Sequence, residues 1–72
     1  MDVNRLVAMA NDIAAFFDAE GDAAAAVEGV RTHLSKFWAP RMRREIIAHV
    51  EAGGAGLAST ACSAVKLLPK PA

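Results

Sequence analysis

The chain has one cysteine, no net charge and no uninterrupted apolar run near the roughly 18 residues of a membrane-spanning helix. A single thiol, Cys62, excludes an internal disulfide and offers no metal-ligand spacing. Residues 1–9 hold Asp2, Asn4 and Arg5 instead of a basic start and an apolar run, which excludes a recognisable secretory signal. These absences lead us to expect a soluble, cytoplasmic protein in a reducing compartment. No strand alternation, internal repeat or linker is visible either.

Large apolar side chains are also scarce. The hydrophobic content is 54%, but 17 of the 72 residues are alanine, which favours helix and buries little area. Val, Ile, Leu, Met, Phe and Trp must therefore form nearly the whole core of one small domain. At this length a single core leaves only about 3–5 kcal/mol of net stability. Such a chain is marginal alone, which is a first hint of a subunit.

Zero net charge conceals an uneven distribution. Residues 1–30 carry six acids against Arg5, giving −5, and residues 31–72 carry seven Lys and Arg against Glu45 and Glu51, giving +5. A non-specific nucleic-acid binder usually shows a basic excess over the domain, and this chain has none.

Val3, Leu6, Ala10, Ile13 and Phe17 recur at steps of three or four, widened by Val7, Met9 and Phe16, and predict a helix over about 3–19. Asp2 is its expected N-cap and Gly21 its terminator. Asp22 opens a second helix with Ala23, Val27, Val30, Leu34 and Phe37 or Trp38 inward, interrupted by Gly29 for close packing. Pro40 ends that helix and suits the first position of a third. Met42, Ile46, Ile47 and Val50, with His49, carry the third helix to about Ala52, where GGAG at 53–56 breaks it. A short fourth helix is expected over about 59–68, with Leu57, Ala61, Cys62, Val65 and Leu68 inward. The expected fold is all-α, a small bundle of three main helices plus a short C-terminal helix, with one domain over 1–68 and a flexible tail over 69–72.

The densest stretch is FWAPRMRRE at 37–45. FWAP reads as a corner in which Phe37 and Trp38 clamp a turn whose exit Pro40 directs. Arg41, Arg43 and Arg44 fall in the opening turns of the third helix, where the positive dipole end disfavours exposed cations by about 0.3–1 kcal/mol each. Arg41 can pair with Glu45, in the weaker orientation. Two arginines then need acids from elsewhere, either Asp18, Glu20 and Asp22 folding back or a group on a partner.

Catalytic and metal chemistry finds little footing. His33, His49 and Cys62 lack any HxxxH, CxxC or HExxH spacing, and structural roles in helix packing explain them better. Ser35, Ser59, Thr60 and Ser63 face no recognisable base, and no acid/base pair can be argued. GGAG lacks the strand and the GK[ST] ending of a phosphate loop. We expect no catalytic, cofactor-binding or metal-binding residue in this chain.

LVAMANDIAAFF at 6–17, HLSKFWAPRMRREI at 33–46 and AHVEAGGAGL at 48–57 together resemble the delta subunit of NAD-dependent formate dehydrogenase, a soluble, molybdenum-containing enzyme. Phe37, Trp38, Pro40, Arg41 and Met42 match FWxPRM, and His49, Gly53, Gly54, Gly56 and Leu57 match HxxxGGxGL. Two departures stand out. Ala39 replaces an Asp able to cap the third helix, and Ser59 and Thr60 stand where Pro and a larger apolar residue are expected.

The resemblance implies a non-catalytic accessory subunit that supports assembly or stability of the holoenzyme. It also implies that molybdenum–pterin, iron–sulfur clusters and flavin belong to partner subunits. The expected partners are those subunits, chiefly the large molybdenum subunit, contacted through Trp38, Arg41, Arg43 and Arg44; Phe37 is expected in the core. The alternative is a regulatory module binding nucleic acid or another protein through residues 41–44. A third reading is a self-contained homo-oligomeric helical protein.

Overall fold

The computed structural model describes residues 2–71, so Met1 and Ala72, the outer ends of the expected domain and tail, lie outside the described residues. Among the described residues four helices follow in order: α1 (Val3–Asp18), α2 (Ala23–Phe37), α3 (Pro40–Glu51) and α4 (Ser59–Lys66). The fold is all-α as expected, with no strand among the described residues.

The first two helices start on side-chain caps. Asp2 accepts from the Asn4 N–H at 3.0 Å, and Asp22 accepts from Ala24 and Ala25 at 3.0 and 3.3 Å. These bonds satisfy amides that have no partner inside the helix. The other two helices begin at Ala39 and Ala58, neither of which can cap. At α3 the pre-set backbone of Pro40 takes over part of that role.

Joined by residues 19–22, α1 and α2 pack as a hairpin, and α4 lies against both and against α3. Leu6, Leu34, Ile46, Val30 and Val65 are the largest fully buried side chains. Ala10, Ala14, Ala26, Ala61 and Ala64 are buried among them, small enough for neighbouring helix backbones to come close.

That close approach shifts the buried stripes from their expected lines. In α1 the buried line is Leu6, Val7, Ala10 and Ala14; Ile13 and Phe17 sit at its flank, and Phe16 is 68% exposed. In α2 it is Ala26, Val30 and Leu34, with Ala23 exposed and Val27 half-buried. The alanine face wins the interior because helices pack nearer there, and the phenylalanines of α1 are left at the edge. In α4, Ala61, Ala64 and Val65 are buried, Leu68 follows just past the helix, and Cys62 is half-buried.

Gly29 has the close-packing role expected of it. A Cβ built there would lie 2.4 Å from Cδ1 of Phe17, so the ring rests directly on the α2 backbone. The tail does more than trail from α4: Lys70 Nζ reaches Glu51 Oε2 at 2.7 Å. Both groups are largely exposed, so the pair contributes little.

Candidate docking site

The FWAP corner is built on Trp38. Its side chain is 5% exposed and belongs to the core, while Phe37, one residue earlier, is 72% exposed. Of the two inward candidates it is therefore Trp38, also an expected contact residue, that is structural, and Phe37, expected in the core, is the surface aromatic. The reason is helical phase. Trp38 follows Ala26, Val30 and Leu34 at steps of four on the inner line, which puts Phe37 on the outer one.

Arg43 finds partners within the chain. Its Nη1 donates to the carbonyls of Ser35 at 3.1 Å and Trp38 at 2.6 Å. Those carbonyls lie at the C-terminal end of α2, where acceptors are unsatisfied and the dipole is negative, so a guanidinium is favoured there. The cation that looks unfavourable at the start of α3 thus serves the end of the preceding helix. The acids expected to meet the arginines are engaged differently, since Asp22 caps α2 and Asp18 Oδ1 accepts from the Thr60 hydroxyl at 2.7 Å. That last bond also gives Thr60 a docking contact for α4 where a larger apolar residue had been expected.

Arg41 and Arg44 are both exposed on the opening turns of α3. Among the described residues Arg41 forms no ion pair with Glu45, in keeping with the poor orientation of that spacing. Glu45 keeps one oxygen, Oε2, buried without a hydrogen-bond partner among the described residues. The four residues expected to contact a partner are thus divided. Trp38 and Arg43 hold the corner, and Arg41 and Arg44 are exposed on α3 with Phe37 nearby in the chain.

HxxxGGxGL resolves into a helix ending. Gly53 N–H donates to Val50 O at 3.0 Å and Gly54 N–H to His49 O at 2.9 Å. The two glycines have φ of +122° and +67°, conformations side chains rarely adopt, and together these bonds make a Schellman motif. The His49 Nε2 lies 2.7 Å from Ala55 O, so the ring ties the loop to the helix it leaves.

From the other side Asn11 clasps the same loop, its amide nitrogen donating to Gly56 O at 2.9 Å and its Oδ1 accepting from Ala58 N–H at 2.8 Å. The second bond satisfies the amide of Ala58 itself, at the start of a helix without a side-chain cap. Nothing in the sequence had singled out Asn11, because its partners lie 45 and 47 positions away. Asn11→Ala is expected to lower stability by about 1–2 kcal/mol, since both of its bonds to the loop are lost, and a thermal melt checks this.

Trp38 and Pro40 of the first motif and His49, Gly53 and Gly54 of the second therefore maintain the fold locally. His33, His49 and Cys62 stand on α2, α3 and α4 respectively. Among the described residues no three or more His, Cys, Asp or Glu side chains gather as a metal ion would require.

The outer side of the α1–α2 hairpin holds a surface missed by the sequence reading. A shallow concavity of about 460 Å³ runs along α2 between the rings of Phe17 and Phe37, floored by Ala25, Gly29 and Thr32. A second, of about 390 Å³, continues across α1 beside Ile13 and Phe16. His33 borders both and stacks on Phe37 with ring centroids 4.8 Å apart. Phe16 and Phe17 meet edge to face at 5.2 Å. The signal for this face was the step of four through Ala25, Gly29, His33 and Phe37. Beside it Glu28 and Arg31 form an exposed ion pair, and the Arg31 guanidinium, by hydrogen bond and charge, holds the Glu28 carboxyl below its ordinary range.

The chain is thus a small helical protein that leaves Phe16 and Phe37 on its surface beside two shallow apolar concavities. The chain belongs to the family of the NADH-dependent formate dehydrogenase delta subunit, FdsD, whose model matches residues 5–65. Membership makes it an accessory delta subunit associated with the other subunits of a formate dehydrogenase. No curated protein and no solved structure matches the chain. No helix among the described residues is long and apolar enough to cross a membrane.

Proposed function

We propose that this chain is a non-catalytic subunit that docks on the large molybdenum-bearing subunit of a cytoplasmic formate dehydrogenase and supports assembly or stability of the holoenzyme. On this reading the molybdenum–pterin centre, iron–sulfur clusters and flavin reside in the partner subunits. The observation that carries it is the exposure of Phe37. A chain forced to build its core from alanine leaves a phenylalanine 72% exposed at the end of α2, a few residues before exposed Arg41 and Arg44.

Phenylalanine and arginine are both enriched at protein interfaces relative to the rest of the surface. Guanidinium forks also suit carboxylates on a protein surface. The nucleic-acid alternative is weakened because Arg43, the third member of a basic grip, is bound to the Ser35 and Trp38 carbonyls.

Recovery of the tagged chain with formate dehydrogenase tests the proposal. Arg41→Ala with Arg44→Ala is expected to lower co-purification about tenfold or more, with the helical spectrum unchanged. Undiminished recovery of that variant would remove the arginines from the contact. A wild-type chain that is never recovered with the enzyme would refute docking itself.

A further inference from the structure

The outer stripe of α2 has an internal symmetry that docking on a larger subunit does not require. Thr32 lies at its centre in the floor of the concavity. Glu28 stands four residues before it and Lys36 four residues after, both on the same stripe. Phe37 lies five residues after Thr32, and Ala25, a small gap in the stripe, seven before.

Two copies of this helix laid antiparallel about an axis through Thr32 place each Lys36 opposite the other copy's Glu28. The same superposition brings each Phe37 between Ala25 and Glu28 of the other helix, beside the Phe17 ring that rests on Gly29. The aromatic falls level with Val27, next to the small Ala25, and the acid and the base are thus each other's images. That is the requirement of an isologous two-fold interface, in which one patch must complement itself.

We propose that the free chain forms an antiparallel two-fold dimer through this stripe of α2, each copy covering the other's groove. Zero net charge sets up no long-range repulsion between copies. The dimer stands apart from the docking proposal; one consequence alone rests on that reading. Phe37 belongs to both surfaces, so self-association and docking on the enzyme exclude one another. The dimer is then the resting form of the uncombined subunit.

Charge exchange in the isolated full chain, with no other subunit present, tests this. Glu28→Lys places lysines opposite lysines across the axis, and Lys36→Glu places glutamates opposite glutamates. Each alone is expected to weaken the dimer at least about tenfold by sedimentation equilibrium. Mixing the two variants sets the lysines of one chain against the glutamates of the other at both contacts, so a heterodimer of near wild-type affinity is expected.

Recovery on mixing separates the interface from any damage to folding, since a misfolded variant gains nothing from its complement. A wild-type chain monomeric up to about 100 μM, a dimer indifferent to both changes, or two monomeric variants that stay apart on mixing would each overturn the proposal. None of those results touches docking, which is read separately by recovery with the enzyme.

Discussion

Trp38→Ala is expected to unfold the chain. Trp38 is the largest side chain in the core, 5% exposed, and its removal leaves a cavity where the end of α2 meets the start of α3. Truncations of a buried Trp or Phe to Ala destabilise by about 3–5 kcal/mol. A domain of this size has about that much net stability in total, so the loss consumes nearly all of it.

The effect should be visible as lost helical ellipticity at 25 °C, or a melting transition moved below ambient temperature. Phe37→Ala is the control one residue away. At 72% exposure it should change stability by no more than about 0.5 kcal/mol. Equal losses from the two substitutions would mean that the corner is not organised around Trp38.

The second large effect concerns association. Phe37→Ser combined with Arg41→Glu is expected to weaken binding to the formate dehydrogenase large subunit about 100-fold or more, with folding intact. Hot-spot residues at interfaces contribute about 2 kcal/mol or more each on truncation, and two such losses reach that range even when they are not fully additive. Reversing the charge at Arg41 adds repulsion against whatever acid it faces. Surface-immobilised enzyme and equal concentrations of each variant provide the comparison. A variant that binds like the wild-type chain would move the contact to another face.

These two expectations separate neighbours that the sequence reading had grouped together. The four helices, the two aspartate caps, Pro40 at the head of α3 and Gly53 at its end were legible, because each rests on chemistry within a few residues. Which of Phe37 and Trp38 turns inward was not. Both fit an amphipathic stripe, and only the packing of α2 through Ala26, Val30 and Leu34 fixes the helical phase that separates them.

Arg43 was misread for a related reason. Its position on α3 is unfavourable, whereas its partners, the carbonyls of Ser35 and Trp38, lie on the preceding helix and depend on the angle of the corner. Asn11 was invisible for the opposite cause: it bridges to a loop more than forty residues away, where no periodicity reaches. The family resemblance was carried in part by residues that turn out to maintain local structure. His49 and Gly54 close the end of α3, and Pro40 begins it.

The most direct measurement is native mass spectrometry of formate dehydrogenase purified through its large subunit from cells that produce this chain. The account predicts the chain at one copy per large subunit, and a chain–large-subunit pair among the fragments released on gentle activation. A large subunit recovered with its cofactor-bearing partners but without this chain, while the chain is present and folded in the same extract, would contradict it.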